Sequence, residues 1–423
     1  MDVEKWILNN MNDLDRLYSL YLNNIKNERF FVPDIKKRFK EFKEGKDTRL
    51  NILWGLRGTG KTTGILQAVK ELEANKLFLF GDSSEFIEPL EAVKIYSKLF
   101  PKENLILIID EIHEIKDWDK KLKNIYDSYP NIFIVCTGSS AIGIKSTKIA
   151  RRAVYYNISP LDFKEYLYLK HNISISPEVS KNIKDALKSE HPYENLMPYY
   201  IEIKKLNLYQ YINEFIKMGG FPLLNTPKDL YYKKVYDILQ RVIDQDIPQF
   251  SKFTTNTLSK TSKILNSIST ANDSKVSITS LSQKFDISRP MINEILEILN
   301  SANLIIKIPA KGMKKNEKIY FSTPSLRYAI NSRLNLPVDI GIIREETIVS
   351  HLINSEIIIY YIKTKGKEYD FVFNIDGKKI RIEIGGKSKS SSQINNEGII
   401  IADTDVISFN KVPVIPLYLF LLI

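Results

Sequence analysis

The chain has 423 residues, 43% hydrophobic and 26% charged, which is the composition of a soluble globular protein too long for one ordinary core; roughly two to four domains are expected. The single cysteine, Cys136, excludes an intrachain disulfide framework, and with only four histidines beside it no zinc cluster is expected. The net charge of +11 favours acidic partners, nucleic acid the commonest, with a Lys-rich solvated surface as the plainer alternative.

The first residues, Met1-Asp2-Val3-Glu4-Lys5, have neither a basic flank nor an apolar core, so no signal peptide is expected, and the cysteine usage fits a reducing cytoplasm. Residues 1–48 read as helices. Trp6, Ile7, Leu14, Leu17, Tyr18, Tyr21 and Leu22 recur at helical spacing, and Pro33 separates them from a second, basic helix over 34–44.

The apolar run 50–54 is expected as a strand and 63–72 as a helix. Between them Gly55-Leu56-Arg57-Gly58-Thr59-Gly60-Lys61-Thr62 fits G-x-x-x-x-G-K-[ST] at every fixed position. The glycines let backbone N–H groups turn inward around a triphosphate where a Cβ would clash, and the following helix end adds positive potential. The expected ATP-binding residues are Gly55, Leu56, Arg57, Gly58, Thr59, Gly60, Lys61, Thr62 and Thr63. Lys61 would reach the β- and γ-phosphates and Thr62 would ligate Mg2+. The helices of 1–48 would pack on this core or shape the adenine pocket.

The run 104–109 is apolar throughout, as in a strand buried on both faces of a parallel sheet, and it ends in Asp110-Glu111. Asp110 would hold Mg2+ and Glu111 would polarise the attacking water. Trp118 reads as a packing residue, and His113 as a residue that supports a catalytic neighbour or packs, rather than as a catalyst itself. A third strand, 131–136, leads to Thr137-Gly138-Ser139-Ser140. There Ser139 or Thr137 would touch the γ-phosphate or orient the water; a serine-rich turn capping the next helix is the other reading.

Asp110-Glu111-Ile112-His113, Trp118 and Thr137-Gly138-Ser139-Ser140 together resemble the AAA+-type P-loop ATPases of archaea and bacteria. Ser159-Pro160-Leu161-Asp162-Phe163-Lys164-Glu165-Tyr166 is similar to that family's Pro-Leu-x-Phe-x-Glu-Phe element, and Gly219-Gly220-Phe221-Pro222 to its Gly-Gly-Phe-Pro turn. The resemblance covers nearly the whole chain. It implies an ASCE-class P-loop core with a helical lid and C-terminal accessory domains. Arg152 matches the family's arginine, although Arg151 replaces the glycine before it; this implies a γ-phosphate sensor, in cis or from a neighbouring subunit, against an ordinary surface arginine.

Residues 160–255 read as helical, punctuated by the 219–222 turn, and would form the lid. From 256 to 330 two helices, over 279–285 and 289–302, precede strands at 303–308 and 318–321, with Ser288 as an N-cap and Pro290 near the helix start. That is the pattern of a winged helix-turn-helix. Its second helix offers Arg289 and Asn293 but also Glu294 and Glu297, whereas the wing carries Lys311, Lys314, Lys315 and Lys318. Direct DNA contact and a protein-contact or structural role both stay open.

A helix over 345–352 and strands at 357–361, 369–373 and 379–384 open an α/β module. Asp370 and Glu383 on neighbouring strands resemble the PD-(D/E)xK nuclease fold, in which they would hold a metal. Gly385 occupies the lysine slot two residues on, and Lys387 lies too far along unless Gly385-Gly386 form a bulge, so a vestigial site used for binding is expected. The apolar tail 412–423 is too short to span a bilayer and is interrupted by Pro413 and Pro416; a buried terminal strand is expected, and no membrane contact.

The expected fold is therefore α/β: helices over 1–48, a P-loop NTPase core with a parallel sheet over 49–160, a helical lid over 161–255, a winged helix over 256–330 and a nuclease-like domain over 331–423. Three functions are compatible with it. One is Mg2+-dependent ATP hydrolysis that switches the accessory domains. The second is a slow STAND-like signalling switch acting through protein partners, and the third a DNA-processing enzyme with an active C-terminal nuclease. An oligomer is compatible with each.

Overall fold

The computed structural model describes residues 2–23, 25–83, 87–138, 149–311, 317–364, 367–386 and 398–423, with the backbone alone at 363–364, 367–370 and 410. The chain forms two compact units, Met1–Ser159 and Pro160–Ile423.

The first unit begins with α1 (Val3–Asn12), α2 (Leu14–Leu22) and α3 (Val32–Lys43). Asp2 caps α1 by accepting from the Glu4 and Lys5 N–H groups, and Pro33 sits in the first turn of α3, where a missing N–H does no harm. Then come β1 (Leu50–Trp54), α4 (Lys61–Lys70), β2 (Asn75–Phe80), α5 (Pro89–Leu99), β3 (Leu105–Asp110), α6 (Trp118–Ser128), β4 (Ile132–Gly138) and β5 (Ala153–Asn157). The five strands make one sheet in the order β2-β3-β4-β1-β5, and every pair is parallel.

Every residue of β3 and β4 is buried because helices cover both faces of the sheet. Alternate residues divide between them. Ile52, Leu107, Ile109 and Ile134 pack with Ile7 of α1, Val93 of α5 and Leu122 of α6. Leu53, Ile106, Ile108 and Val135 pack with Leu14 of α2, Ile35 of α3 and Ile65 of α4. The amino-terminal helices are thus part of the core, shared between its two faces. Parallel pairing brings all strand carboxyl ends to one edge, where α/β sheets place their ligands.

The second unit opens with α7 (Phe163–His171), α8 (Pro177–Lys188), α9 (Pro192–Lys204), α10 (Tyr209–Met218) and α11 (Lys228–Arg241). A π-helical turn, Val242–Asp246, leads into α12 (Ile247–Phe250), and α13 (Thr255–Ser269), α14 (Ile278–Phe285) and α15 (Arg289–Ser301) follow. The hairpin β6 (Ile305–Lys311) and β7 (Glu317–Phe321) precedes α16 (Pro324–Leu334) and α17 (Ile340–Asn354). Strands β8 (Ile359–Thr364), β9 (Lys367–Ile375), β10 (Lys378–Gly385), β11 (Ile399–Ala402), β12 (Ser408–Asn410) and β13 (Val412–Pro416) and the helical turn α18 (Leu417–Phe420) complete it.

Ser277 and Ser288 cap α14 and α15 by accepting from the Ser280 and Met291 N–H groups, and Asp286 turns the chain between them in the left-handed conformation. The hairpin after them does not stand free. β6 also pairs in parallel with β8, Ala310 with Tyr361 and Lys311 with Ile362. One sheet therefore runs β12-β13-β11-β10-β9-β8-β6-β7.

Two expectations change here. Lys318 is not a surface cation of the wing. It is 4% exposed, its ammonium lies 4.9 Å from the Phe371 ring centre and 5.5 Å from that of Tyr361, and Glu345 is 3.5 Å away, so it is buried as a compensated charge. The tail is buried, but only Val412–Pro416 is strand; after Pro416 it turns into α18, whose Leu417, Leu419 and Phe420 enter the main core. Lys314 and Lys315 lie outside the described residues.

Of the helices expected as a lid, α7 to α10 bury their apolar faces in the core of this sheet. Phe163, Tyr166, Leu196 and Ile212 belong to the same core as Phe371, Ile382 and Phe420. Deeper still, the fully buried Arg327 donates to Glu346 Oε2 from Nε (3.0 Å) and Nη2 (2.8 Å) and to the Ile268 and Ser269 carbonyls, tying α13, α16 and α17 together. Among the described residues no helix is long and apolar enough to cross a membrane.

Candidate functional site

The site is built at the carboxyl edge of the first sheet. The chain leaves β1 at Gly55 and enters α4 at Lys61. Gly55 (φ 146°) and Gly60 (φ 84°) take conformations that side chains resist, and a Cβ at Gly55 would sit 2.2 Å from the Ile158 carbonyl oxygen. The loop is braced from within, where the Thr59 hydroxyl donates to the Leu56 carbonyl at 2.9 Å. It is also braced from outside by Arg29, which donates to the Thr59 carbonyl and, at 3.2 Å, to that of Ser159.

Lys61 is buried, and its ammonium donates to the Gly55 and Leu56 carbonyls, 3.0 Å each. The Thr62 hydroxyl donates to Asp110 Oδ1 at 2.8 Å, so the first turn of α4 and the end of β3 meet side chain to side chain. Thr137, at the end of β4, donates its hydroxyl to the same Asp110 oxygen at 2.5 Å and accepts from the Glu111 N–H at 2.9 Å. β4 stands between β1 and β3, which is why its last polar residue lies between the loop and the acidic pair.

Burial pushes the Asp110 carboxyl up from its ordinary range, and the Glu111 charge adds to this; the Thr137 and Thr62 hydroxyls and Lys61 oppose it. Glu111 turns left-handed (φ 52°) directly after the strand. Its carboxylate lies between Arg57 of the loop, 3.6 Å from Nη1, and His113, 3.5 Å from Nδ1. His113 is therefore a neighbour of Glu111 as well as a packing residue. Trp118 starts α6 and packs against the core.

Arg152 does not come to this site within the chain. Ala153 pairs with Leu50 and Asn157 with Trp54, so Arg152 lies at the amino edge of the sheet, roughly 16 Å of strand from the phosphate loop. There it makes a two-pronged pair with Asp127, 2.9 Å from Nε and 3.1 Å from Nη2. A γ-phosphate sensor in cis is excluded by that distance. Ser139 lies outside the described residues.

Sequence reasoning missed two neighbours of the site. Arg29 is one. The other is Tyr21 of α2, whose phenol is pushed up by burial and by the nearby Asp110 and Asp82 carboxylates. Neither sits in a motif, and both reach the site only because α2 and the segment before α3 pack on α4. The Phe31 ring fills the space over Gly64, where a Cβ would lie 2.2 Å from it.

Residues 47–167 match the family model of an AAA domain. The amino-terminal unit has the P-loop NTPase fold, and the matched span holds the loop, Asp110, Glu111 and Thr137. Residues 209–337 match a domain of unknown function. Similar proteins include an uncharacterized protein of Methanocaldococcus jannaschii, 28% identical over 442 residues that cover 95% of this chain and 90% of that one. A second uncharacterized protein of that organism is 26% identical over 78% of this chain and 74% of its own, and one from Haemophilus influenzae is 27% identical over 65% and 68%. Among solved structures, the Thermotoga maritima RuvB Holliday junction branch migration motor aligns over 72% of this chain and 95% of its own, at 15% identity and a TM-score of 0.30.

Proposed function

We propose that the chain binds ATP with Mg2+ and hydrolyses it, and that turnover changes the state of the carboxy-terminal unit. The observation that carries this reading is the 2.8 Å hydrogen bond between Thr62 and Asp110, set beside the buried Lys61 and the glycine-lined loop. A hydroxyl and a carboxylate side by side form an all-oxygen donor pair suited to a hard cation that keeps several waters and takes one or two protein ligands plus phosphate. Thr62 and Asp110 would hold Mg2+, which when bound neutralises charge on the β- and γ-phosphates.

Within the chain's own chemistry, Lys61 exchanges the Gly55 and Leu56 carbonyls for phosphate oxygens. The loop N–H groups and the start of α4 receive the rest of the negative charge. Glu111 accepts the proton of the attacking water, and Thr137, bonded to both the Asp110 carboxylate and the Glu111 N–H, holds the two acidic residues in register. Arg152 could act on a nucleotide only from a neighbouring copy. The expected result for the purified chain is phosphate release from Mg-ATP that EDTA abolishes. No release at millimolar Mg-ATP would overturn the hydrolysis reading.

The carboxy-terminal sheet is read as a binding platform without nuclease chemistry. Phe371 pairs with Ile382, so Asp370 and Glu383 are the next residues along the two strands. Glu383 is 3% exposed, and Gly385 stands where a lysine would neutralise the phosphorane. No cleavage of plasmid DNA or RNA is expected with Mg2+ or Mn2+. Nicking by the wild-type chain that disappears in Glu383→Gln would show an active nuclease instead. Contact of DNA with the 305–321 hairpin is a further reading, and with Lys318 buried it keeps Lys311 as the exposed lysine among the hairpin's described residues.

A further inference from the structure

A concave groove of about 620 Å3 lies in the carboxy-terminal unit, far along the sequence from the phosphate loop and unused by the ATPase reading. Its floor follows one row of the pleat. Tyr360 of β8 pairs with Val372 of β9, which pairs with Arg381 of β10. The registers of Ile382 with Ile399 and Ile400 with Val414 carry the row on to Gly398 and Val412. Lys311 of β6 borders it at one end and Lys411, just before β13, at the other.

The lining is basic. Lys311, Lys378, Lys379, Arg381 and Lys411 contribute five positive charges, against two carboxylates, Glu190 and Glu194, at the α8–α9 corner. Lys311, Lys379 and Lys411 are exposed, and among the described residues no carboxylate pairs with them. Lys378 is held by the Lys188 and Ser189 carbonyls, which orient its charge without cancelling it.

Two aromatic rings accompany the charges. The Lys311 ammonium lies 5.0 Å from the centre of the Tyr360 ring. Phe409, 56% exposed, lines the opposite end and leans on Tyr193 at 5.7 Å.

The spacing of the cations selects the ligand. From β6 to β13 the row crosses five inter-strand gaps of ~4.8 Å, so the charges are strung over roughly 24 Å. A string of phosphates matches that span; one triphosphate does not. The exposed Phe409 ring beside the cations suits a base that is not already stacked in a duplex. We propose that this groove binds a single strand of nucleic acid, its phosphates tracked by Lys311, Lys379, Arg381 and Lys411 and a base stacked on Phe409.

The test is fluorescence anisotropy of labelled oligo-dT, about 15 nucleotides long as suits one such groove, with the full chain and no nucleotide, so that failure of the ATP reading leaves it untouched. Lys379→Ala combined with Lys411→Ala should weaken binding at least fivefold and reduce the slope of log K against log salt by about 1.4, two contacts at ~0.7 each. Phe409→Ala should weaken binding by about fivefold or more and leave the slope in place, because stacking releases no counterions. Lys379→Arg combined with Lys411→Arg should keep the wild-type affinity and salt slope. No binding at 50 mM salt, full affinity in the double variant, tighter binding of a duplex of equal length, or equal competition by polyglutamate would each overturn the proposal.

Discussion

Lys61→Ala is expected to abolish tight Mg-ATP binding in isothermal titration. The ammonium is buried and already oriented by two carbonyls at 3.0 Å, so it needs little reordering to meet phosphate oxygens. A hydrogen bond to a charged group contributes ~1.5–3 kcal/mol, and Lys61 would make two, to the β- and γ-phosphates; losing both weakens binding by roughly a hundredfold or more. The loop itself should survive, because Thr59 and Arg29 brace it without the lysine. Wild-type affinity in the variant would mean that this loop is not the nucleotide site.

Glu111→Gln should bind Mg-ATP as the wild type does and fail to turn it over. Glutamine keeps the volume between Arg57 and His113, and the backbone N–H that Thr137 accepts is unaffected. What it loses is the basic oxygen, and general-base contributions are typically 10²- to 10⁴-fold in rate. Single-turnover measurement with saturating ATP separates this from a binding defect. A fall of less than about threefold, well below that range, would place the base elsewhere.

The two variants isolate different parts of one constellation. Lys61 acts on charge that is present throughout the reaction, so its loss appears in affinity. Glu111 acts on a proton that moves only as the bond to water forms, so its loss appears in rate. A result with both effects in one variant would point to collapse of the Asp110–Thr62–Thr137 network, which neither substitution touches directly.

Much of the amino-terminal unit is legible in the sequence because its signals are local. A glycine pattern between a strand and a helix, and an apolar run ending in two carboxylates, need no distant residue to be recognised. The less apolar edge strands β2 and β5 went unread, since an edge strand is half covered and its pattern is weak: β5 is buried only in part along its length. Thr137 was readable as a polar strand end. Its bond to Asp110 was not, because it depends on β4 lying between β1 and β3.

Arg152 and Lys318 show the other side. Both are basic residues beside recognisable elements, and sequence position suggested phosphate contact for each. Strand register decided otherwise. Arg152 falls at the amino edge of a parallel sheet, where Asp127 pairs with it, and Lys318 points into a core lined by Phe371 and Tyr361. The helices of 163–218 likewise carry apolar faces whose periodicity says that they are covered without saying by what; the carboxy-terminal sheet covers them.

By itself, then, the sequence determined the elements whose information is contiguous: the phosphate loop, the buried acidic strand, the capped helices α14 and α15, the hairpin after them and the missing lysine at Gly385. Only the tertiary structure decided which of these meet. The bond from Thr62 to Asp110 and the row from Tyr360 to Val412 join residues far apart in the chain through strand order and register, and the brace from Arg29 to the loop does so through helix packing. A side chain's type and spacing reveal what it can do, but the partner that makes it act is supplied by packing, and packing is a property of the whole fold.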